Sequence, residues 1–179
     1  MDHFEVDRAL DSMTILIDTR EQDTPALRRR IKEMGCGIER VKLDVGDYSC
    51  KCILPDGGEY SLQNDVVIER KMSVDELCAC FARGRERFTR EFERAASAGI
   101  KVTILVENAT WEDILSGKYR SRTHPNALAA SICAWLARYN VNLLFCDPKT
   151  TGTLIKRLLR YELKERLEKD GYKAACGTA

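Results

Sequence analysis

Glu69, Arg70 and Lys71 stand in a row directly after the β-branched apolar run Val66-Val67-Ile68, and Asp75 and Glu76 follow soon after. The apolar run predicts a strand heading into a core. Side chains alternate along a strand, so Glu69 and Lys71 project to one face and Arg70 to the other. A carboxylate and an ammonium two residues apart at a strand end suit metal-dependent hydrolysis of a phosphodiester. The carboxylate holds a divalent cation, while the lysine positions or helps activate water and offsets charge on the phosphate. Two carboxylates about 4 Å apart repel by roughly 4 kcal/mol at an effective dielectric of 20, so a cluster of them needs a cation or a shared proton. Glu-x-Lys alone matches many surface strands by chance. Ser73 with Glu76 also satisfies a helix capping box, and Asp75 in the first helical turn complements the helix dipole. Glu76 is therefore assigned to the cap, and local reasoning leaves Asp75 open.

Two other segments present acidic residues in the same way. IDTRE puts Asp18 at the end of an apolar strand, with Arg20 and Glu21 beyond it. LDVGDY puts Asp47 after Gly46, at a bend entering a hairpin. Each aspartate taken singly is equally an ordinary turn residue. Acidic residues from three segments, all where strands end, are how a fold gathers ligands at one rim of a sheet.

The elements that must position them follow from pattern. TILID (14–18) reads as a buried strand, Thr24-Pro25 as a helix start and Gly35 as its stop. IERVKL (38–43) alternates as a second strand. DYSCKCIL, the turn PDGG and EYSLQNDVVIERK read as a hairpin or meander. Two helices divided near Gly84 close at Gly99, and KVTILVE (101–107) is apolar enough for the middle of a sheet. A short helix capped by Thr110, a longer one from Pro125, the strand NLLFCD and a final amphipathic helix complete the chain. Strands alternating with helices give an α/β domain whose sheet is partly parallel and contains an antiparallel hairpin. The expectation is one domain over residues 1–179, with a core at about 14–168, a leader at 1–13 and a loose tail at 169–179.

Composition bounds the function. The 179 residues are 44% hydrophobic and 32% charged, which describes an ordinary globular protein. MDHFEVDRAL has no signal-peptide centre and no apolar run reaches membrane length, so an intracellular location and no membrane partner are expected. A net charge of +1 means that nucleic acid must be met by a local basic surface. Eight cysteines include two C-x-C pairs but no zinc-knuckle spacing, and His3 and His124 are isolated. Cys78, Cys133 and Cys146 lie in apolar stretches and read as small hydrophobes, reduced and structural.

Taken in order, IDTRE, VGDY and IERKMSVDEL resemble the nuclease domain of the XPF family of structure-specific DNA endonucleases. The family pattern G-D-x(n)-E-R-K-x-x-x-D is met by Gly46-Asp47, Glu69-Arg70-Lys71 and Asp75. The similarity continues through GRERF and KVTILVE to the helix near Asn126, covering roughly residues 14–165. The resemblance implies a restriction-endonuclease-like mixed sheet flanked by helices. It implies Asp47 and Glu69 as principal ligands of Mg2+ or Mn2+, and Lys71 as the catalytic lysine. Asp18 and Asp75 would lie beside them, with Arg20, Glu21 and Arg70 at motif positions and Arg70 tying the carboxylate cluster together. Activated water would attack a DNA phosphodiester, in branched or 3′-flap duplexes, leaving a 5′-phosphate and a 3′-hydroxyl. Family members usually carry helix-hairpin-helix modules after this domain. The sequence stops at Ala179, so the duplex grip is expected from a separate partner protein or from the compact domain alone. A homodimer through late helices is a further expectation. The family also includes silent members that serve a partner, so a scaffold that binds DNA or a partner nuclease remains the alternative.

Two charged stretches remain. Arg83, Arg87 and Arg90 in RGRERFTR share a face on a helix and would contact phosphates there; interleaved glutamates make a solvated face equally fitting. Arg28, Arg29 and Arg30 read as the exposed side of an amphipathic helix. Leu154, Leu158, Tyr161 and Leu167 give the last helix one buried stripe.

Overall fold

In a computed structural model, which describes the backbone of residues 1–176 and side chains through Lys169, the chain opens with helix α1 (His3–Asp11). Residues 1–13, expected as a leader, instead start a packed element. Asp2 caps the helix in a reciprocal box with Glu5, and Val6, Ala9 and Leu10 are buried at i, i+3 and i+4. The stripe is only three residues wide among charges, which hid it. Then come β1 (Thr14–Asp18), α2 (Pro25–Met34), β2 (Gly37–Val41), β3 (Tyr48–Ile53), β4 (Glu59–Ser61) and β5 (Val66–Lys71). The second half holds α3 (Val74–Phe81), α4 (Arg85–Ser97), β6 (Lys101–Glu107), α5 (Trp111–Ser116), α6 (Pro125–Tyr139), β7 (Asn142–Cys146) and α7 (Thr151–Cys176). The start of the expected tail therefore continues α7, and residues 177–179 lie outside the described residues.

The seven strands form one mixed sheet in the order β2-β1-β3-β5-β6-β7, with β4 paired to β3. β1 and β2 are parallel, β3 runs antiparallel to both β1 and β5, and β5, β6 and β7 are parallel. The carboxyl ends of β1, β5, β6 and β7 and the amino end of β3 consequently meet at one rim. Ligands of open α/β sheets bind outside such carboxyl ends.

Each face of the sheet has its own core. Val66 and Ile68 of β5 join Ile15, Tyr48, Leu105 and the helices α1, α2 and α7 on one side. Val67 joins Val102, Ile104 and Val106 with α3, α4 and α6 on the other, where Phe81, Phe88, Phe92 and Trp135 cluster. Each fully buried large apolar side chain contributes about 1.5–3 kcal/mol. The buried stripe of α7 is Ile155, Leu159, Leu163 and Leu167, which keeps only Leu167 of the expected set. Tyr161 is 66% exposed, and Leu154 and Leu158 are only partly covered. A spacing of four keeps one row inward, and the tyrosine falls outside it. That row is spent on the chain's own core. α7 meets α2 closely at Gly152, where a Cβ would stand 2.3 Å from the Arg30 carbonyl oxygen.

Two arginine expectations change. Arg30 is buried, on the same inward side of α2 as Leu27 and Met34. Arg83 lies before α4, which Gly84 caps, so it shares no helical face with Arg87 and Arg90. The seven cysteines among the described residues are free thiols, though Cys133 is exposed rather than core. No helix among the described residues is long and apolar enough to cross a membrane.

Candidate active site

Gly46 adopts φ +75°, and a Cβ there would stand 2.8 Å from the Val67 Cβ, so only glycine lets the chain turn this close to β5. The turn delivers Asp47 to the rim. Its backbone N–H donates to the Ile68 carbonyl at 2.9 Å, and its own carbonyl accepts from Asp18 N–H at 2.9 Å. The Asp47 carboxylate accepts the Arg70 backbone N–H at 2.7 Å. The β3–β5 ladder is reduced here to the pair Tyr48–Ile68.

Glu69 and Lys71 project from β5 toward the α4 face, and the Lys71 ammonium pairs with the Glu69 carboxylate. The same ammonium stands 5.6 Å from the centre of the Phe88 ring, a cation–π contact from α4. Asp47, Glu69 and Lys71 thus lie together. Burial, and then the Glu69 charge, push the Asp47 carboxyl well above the usual carboxylate range. Burial also raises Glu69, with Lys71 opposing it and Glu91 of α4 adding to it. Lys71 is desolvated, which lowers its proton affinity, but Glu69 outweighs this and keeps it a firm cation. Glu76, at the start of α3, comes within 3.9 Å of Lys71 and also accepts the Met72 N–H at 2.7 Å. The expected capping box is therefore half formed: the Ser73 hydroxyl accepts the Glu76 N–H at 3.3 Å, while the Glu76 carboxylate turns to Met72 and the edge of the site.

The other motif residues serve different contacts. Asp18 is buried, and its carboxylate accepts from the Arg20 N–H, the Arg20 guanidinium and the Leu43 N–H at 2.6–3.2 Å. Burial opposes its ionisation, yet the Arg20 and Leu43 hydrogen bonds win and hold it below the usual range. Its lone pairs are taken, so its link to the site runs through the backbone bond to Asp47. Asp75 faces away from the pair: its carboxylate accepts the Arg120 and Ser121 N–H groups, both at 2.8 Å, and the Arg120 side chain at 3.2 Å. Arg70 points to the α7 face, where it meets Glu107 at 3.2 Å and approaches Glu21 at 4.0 Å. Its Nε is buried without a hydrogen-bond partner among the described residues.

Arg30, Tyr48, Glu107 and Thr151 complete that second cluster and were not singled out in the sequence. Arg30 and the Tyr48 hydroxyl both donate to Glu21 at 3.0 Å, and Thr151 donates to Glu107 at 2.8 Å. Glu107 had the same signal as Glu69, an apolar strand ending in glutamate. Arg30 had the i+3 spacing from Leu27. Arg87 and Arg90 are exposed on α4, beside the helix positions that approach the site.

A family profile described as the ERCC4 domain matches residues 17–158. A search of curated proteins found no match. Among solved structures, XPF from Aeropyrum pernix is similar at 25% identity with a TM-score of 0.59, over 83% of this chain and 61% of that one. The same protein in complex with DNA is similar at 25% identity and a TM-score of 0.59, over 85% of this chain and 66% of that one. The chain therefore spans less than two thirds of the length of those structures. Its profile match covers well over half of the sequence, and the chain belongs to the ERCC4-domain family as an XPF-type nuclease domain.

Proposed function

We propose that the domain is an Mg2+- or Mn2+-dependent endonuclease that hydrolyses DNA phosphodiesters at branched or 3′-flap structures arising in repair, recombination or replication. One observation carries this: two carboxylates, Asp47 and Glu69, lie close enough at a sheet rim to raise each other's proton affinity, with the Lys71 ammonium paired to Glu69 beside them. The donor set fits a hard divalent ion. Mg2+ is commonly bound by one or two carboxylates, with water and substrate phosphate filling the rest of its octahedron. Such an ion supplies polarisation of the phosphate and water activation at neutral pH.

The chain's own residues supply the rest. The Arg70 N–H and the Gly46 bend orient Asp47, and the Glu69 carboxylate and Phe88 ring hold Lys71. Being firmly protonated, Lys71 acts as a hydrogen-bond donor and a positive charge beside the attacked phosphate, not as a resting base. The products are a 5′-phosphate and a 3′-hydroxyl. The similar XPF structure solved with DNA supports DNA as the polymer. A second copy of the chain would add to the grip on the duplex, and a light-scattering mass of one chain at micromolar concentration would remove the dimer.

The test incubates purified protein with 3′-flap, fork and plain duplex DNA in Mg2+, Mn2+ or EDTA. Metal-dependent nicking that is lost in Asp47→Asn and Lys71→Met supports the nuclease. No cleavage of any substrate, with flap binding retained, makes the domain a scaffold instead.

A further inference from the structure

Helix α3 and the loop joining α5 to α6 face each other across an open cleft of ≈ 710 Å³, lined by Arg83 on one side and Arg120 and Arg122 on the other. Asp75 is the one acid among its lining residues, against three arginines. Arg83 and Arg122 are exposed, and neither makes an ion pair or hydrogen bond with any described residue. The loop is braced in place. Asp75 grips the Arg120 and Ser121 N–H groups, the Ser121 and Thr123 hydroxyls meet at 3.0 Å, and the Tyr119 hydroxyl donates to the Thr123 carbonyl at 2.9 Å. Pre-organised, unpaired guanidinium groups in an open cleft are chemistry for phosphate oxygens.

A second cleft of ≈ 710 Å³, between α1 and α7, also has many cations, but all of them except the exposed Arg157 are committed. Lys156 donates to the Gly35 carbonyl, Arg160 to the Leu10 carbonyl and Asp11, and Lys164 pairs with Glu168. The α3 cleft differs in having two unpaired guanidinium groups, Arg83 and Arg122, against one in the α7 cleft. It is also near the chemistry: Asp75 lies four residues from Lys71, at most about 14 Å of chain.

We infer that this cleft holds phosphates of the DNA strand on the α3 side of the cut, with Arg83 and Arg122 as the contacts. Asp75 is then a positioning residue that latches the arginine loop to α3. The inference rests on the nuclease reading only for where the cut lies; phosphate binding by the cleft is measured without cleavage. Binding of a fluorescent flap oligonucleotide in EDTA is followed by anisotropy against salt. Arg83→Ala with Arg122→Ala lowers the slope of log K against log salt by about 1.4–1.8, the value for two lost phosphate contacts. Arg157→Ala in the α7 cleft leaves it unchanged. An unchanged slope in the double variant overturns the inference, even if the wild type cleaves. A lowered slope sustains it, even if no metal supports cleavage.

The latch is tested apart. Asp75→Ala weakens DNA binding in EDTA and leaves the Mn2+ isotherm by calorimetry where it was, while Asp75→Asn restores part of the DNA affinity. Loss of Mn2+ binding in Asp75→Ala would make it a metal ligand and remove the latch.

Discussion

Glu69 and Lys71 on one face of β5 and Arg70 on the other belong to two ion clusters that share a strand end and differ in balance. Toward α2 and α7, Arg30 and Arg70 meet Glu21 and Glu107, two cations with two anions, and hydroxyls of Tyr48 and Thr151 take further lone pairs. Toward α4, Lys71 alone faces Asp47 and Glu69, with the charges of Glu76 and Glu91 adding to the repulsion. A buried network whose charges cancel is a structural anchor. A buried cluster with an excess of one sign is kept only where something else arrives to cancel it, which is why perturbed acids gather at functional sites. The comparison teaches that Glu-Arg-Lys is two devices laid alternately on one strand: Arg70 braces the rim, and its neighbours join the acid-rich cluster on the opposite face.

The largest effect should come from breaking the balanced side. Arg30→Met leaves Glu21 facing one distant guanidinium and a buried charge uncompensated, which should destabilise the fold by about 3–5 kcal/mol. Urea unfolding monitored by tryptophan fluorescence measures it. A loss below 1 kcal/mol would mean that the two clusters do not differ as described. On the other face, Lys71→Met should lower cleavage by about 10²–10³-fold, the scale for one lost donor at a developing charge. Mn2+ affinity should stay largely intact, since an ammonium is no ligand; full activity would assign the role elsewhere.

Asp47→Asn should invert the usual direction for a buried polar change. The amide can still accept the Arg70 N–H while the repulsion with Glu69 disappears, so the metal-free variant should be more stable by about 0.5–2 kcal/mol although inactive. A lower melting temperature than wild type in EDTA would show that the acidic cluster is not frustrated. Conversely, Mg2+ at 100 times its Kd should stabilise the wild type by about 2.7 kcal/mol, and Asp47→Asn by much less.

The functional face was far more legible than the bracing face. Asp47, Glu69 and Lys71 announce themselves because their spacing is local and their type is chemical, and the apolar runs before them place them at strand ends. The bracing cluster joins residues as far apart as Arg70 and Glu107, whose approach depends on strand order, and β6 could have neighboured another strand. Arg30 was hidden differently. Three arginines in a row look solvated, and only the inward turn of α2 against Gly152 singles out the third. Asp18 and Asp75 carry motif positions without reaching the carboxylate pair, since sequence shows which acids lie near a rim but not which backbone N–H groups have already claimed them. Gly84 is a break visible in the sequence, and it separates Arg83 from the helical face that Arg87 and Arg90 share.

The smallest effect sets Asp18 against Asp47, two aspartates joined through a single backbone hydrogen bond. Asp18 has its folded pKa lowered, so its stabilising contribution is present above the unfolded carboxylate value near 4 and is lost as pH falls through the lowered value. Asp47 has its folded pKa raised, so its contribution is present below about 4 and is lost as pH rises through the raised value. Melting temperatures in EDTA from pH 3 to pH 8 should therefore separate them. Asp18→Asn should flatten the acid limb, because the amide cannot ionise to strengthen the Arg20 and Leu43 bonds. Asp47→Asn should flatten the decline toward neutral pH, and Mg2+ should do the same in the wild type by neutralising the pair. Parallel curves for the two variants would mean that both carboxylates see the same surroundings, and the division between a saturated aspartate and a waiting one would be lost.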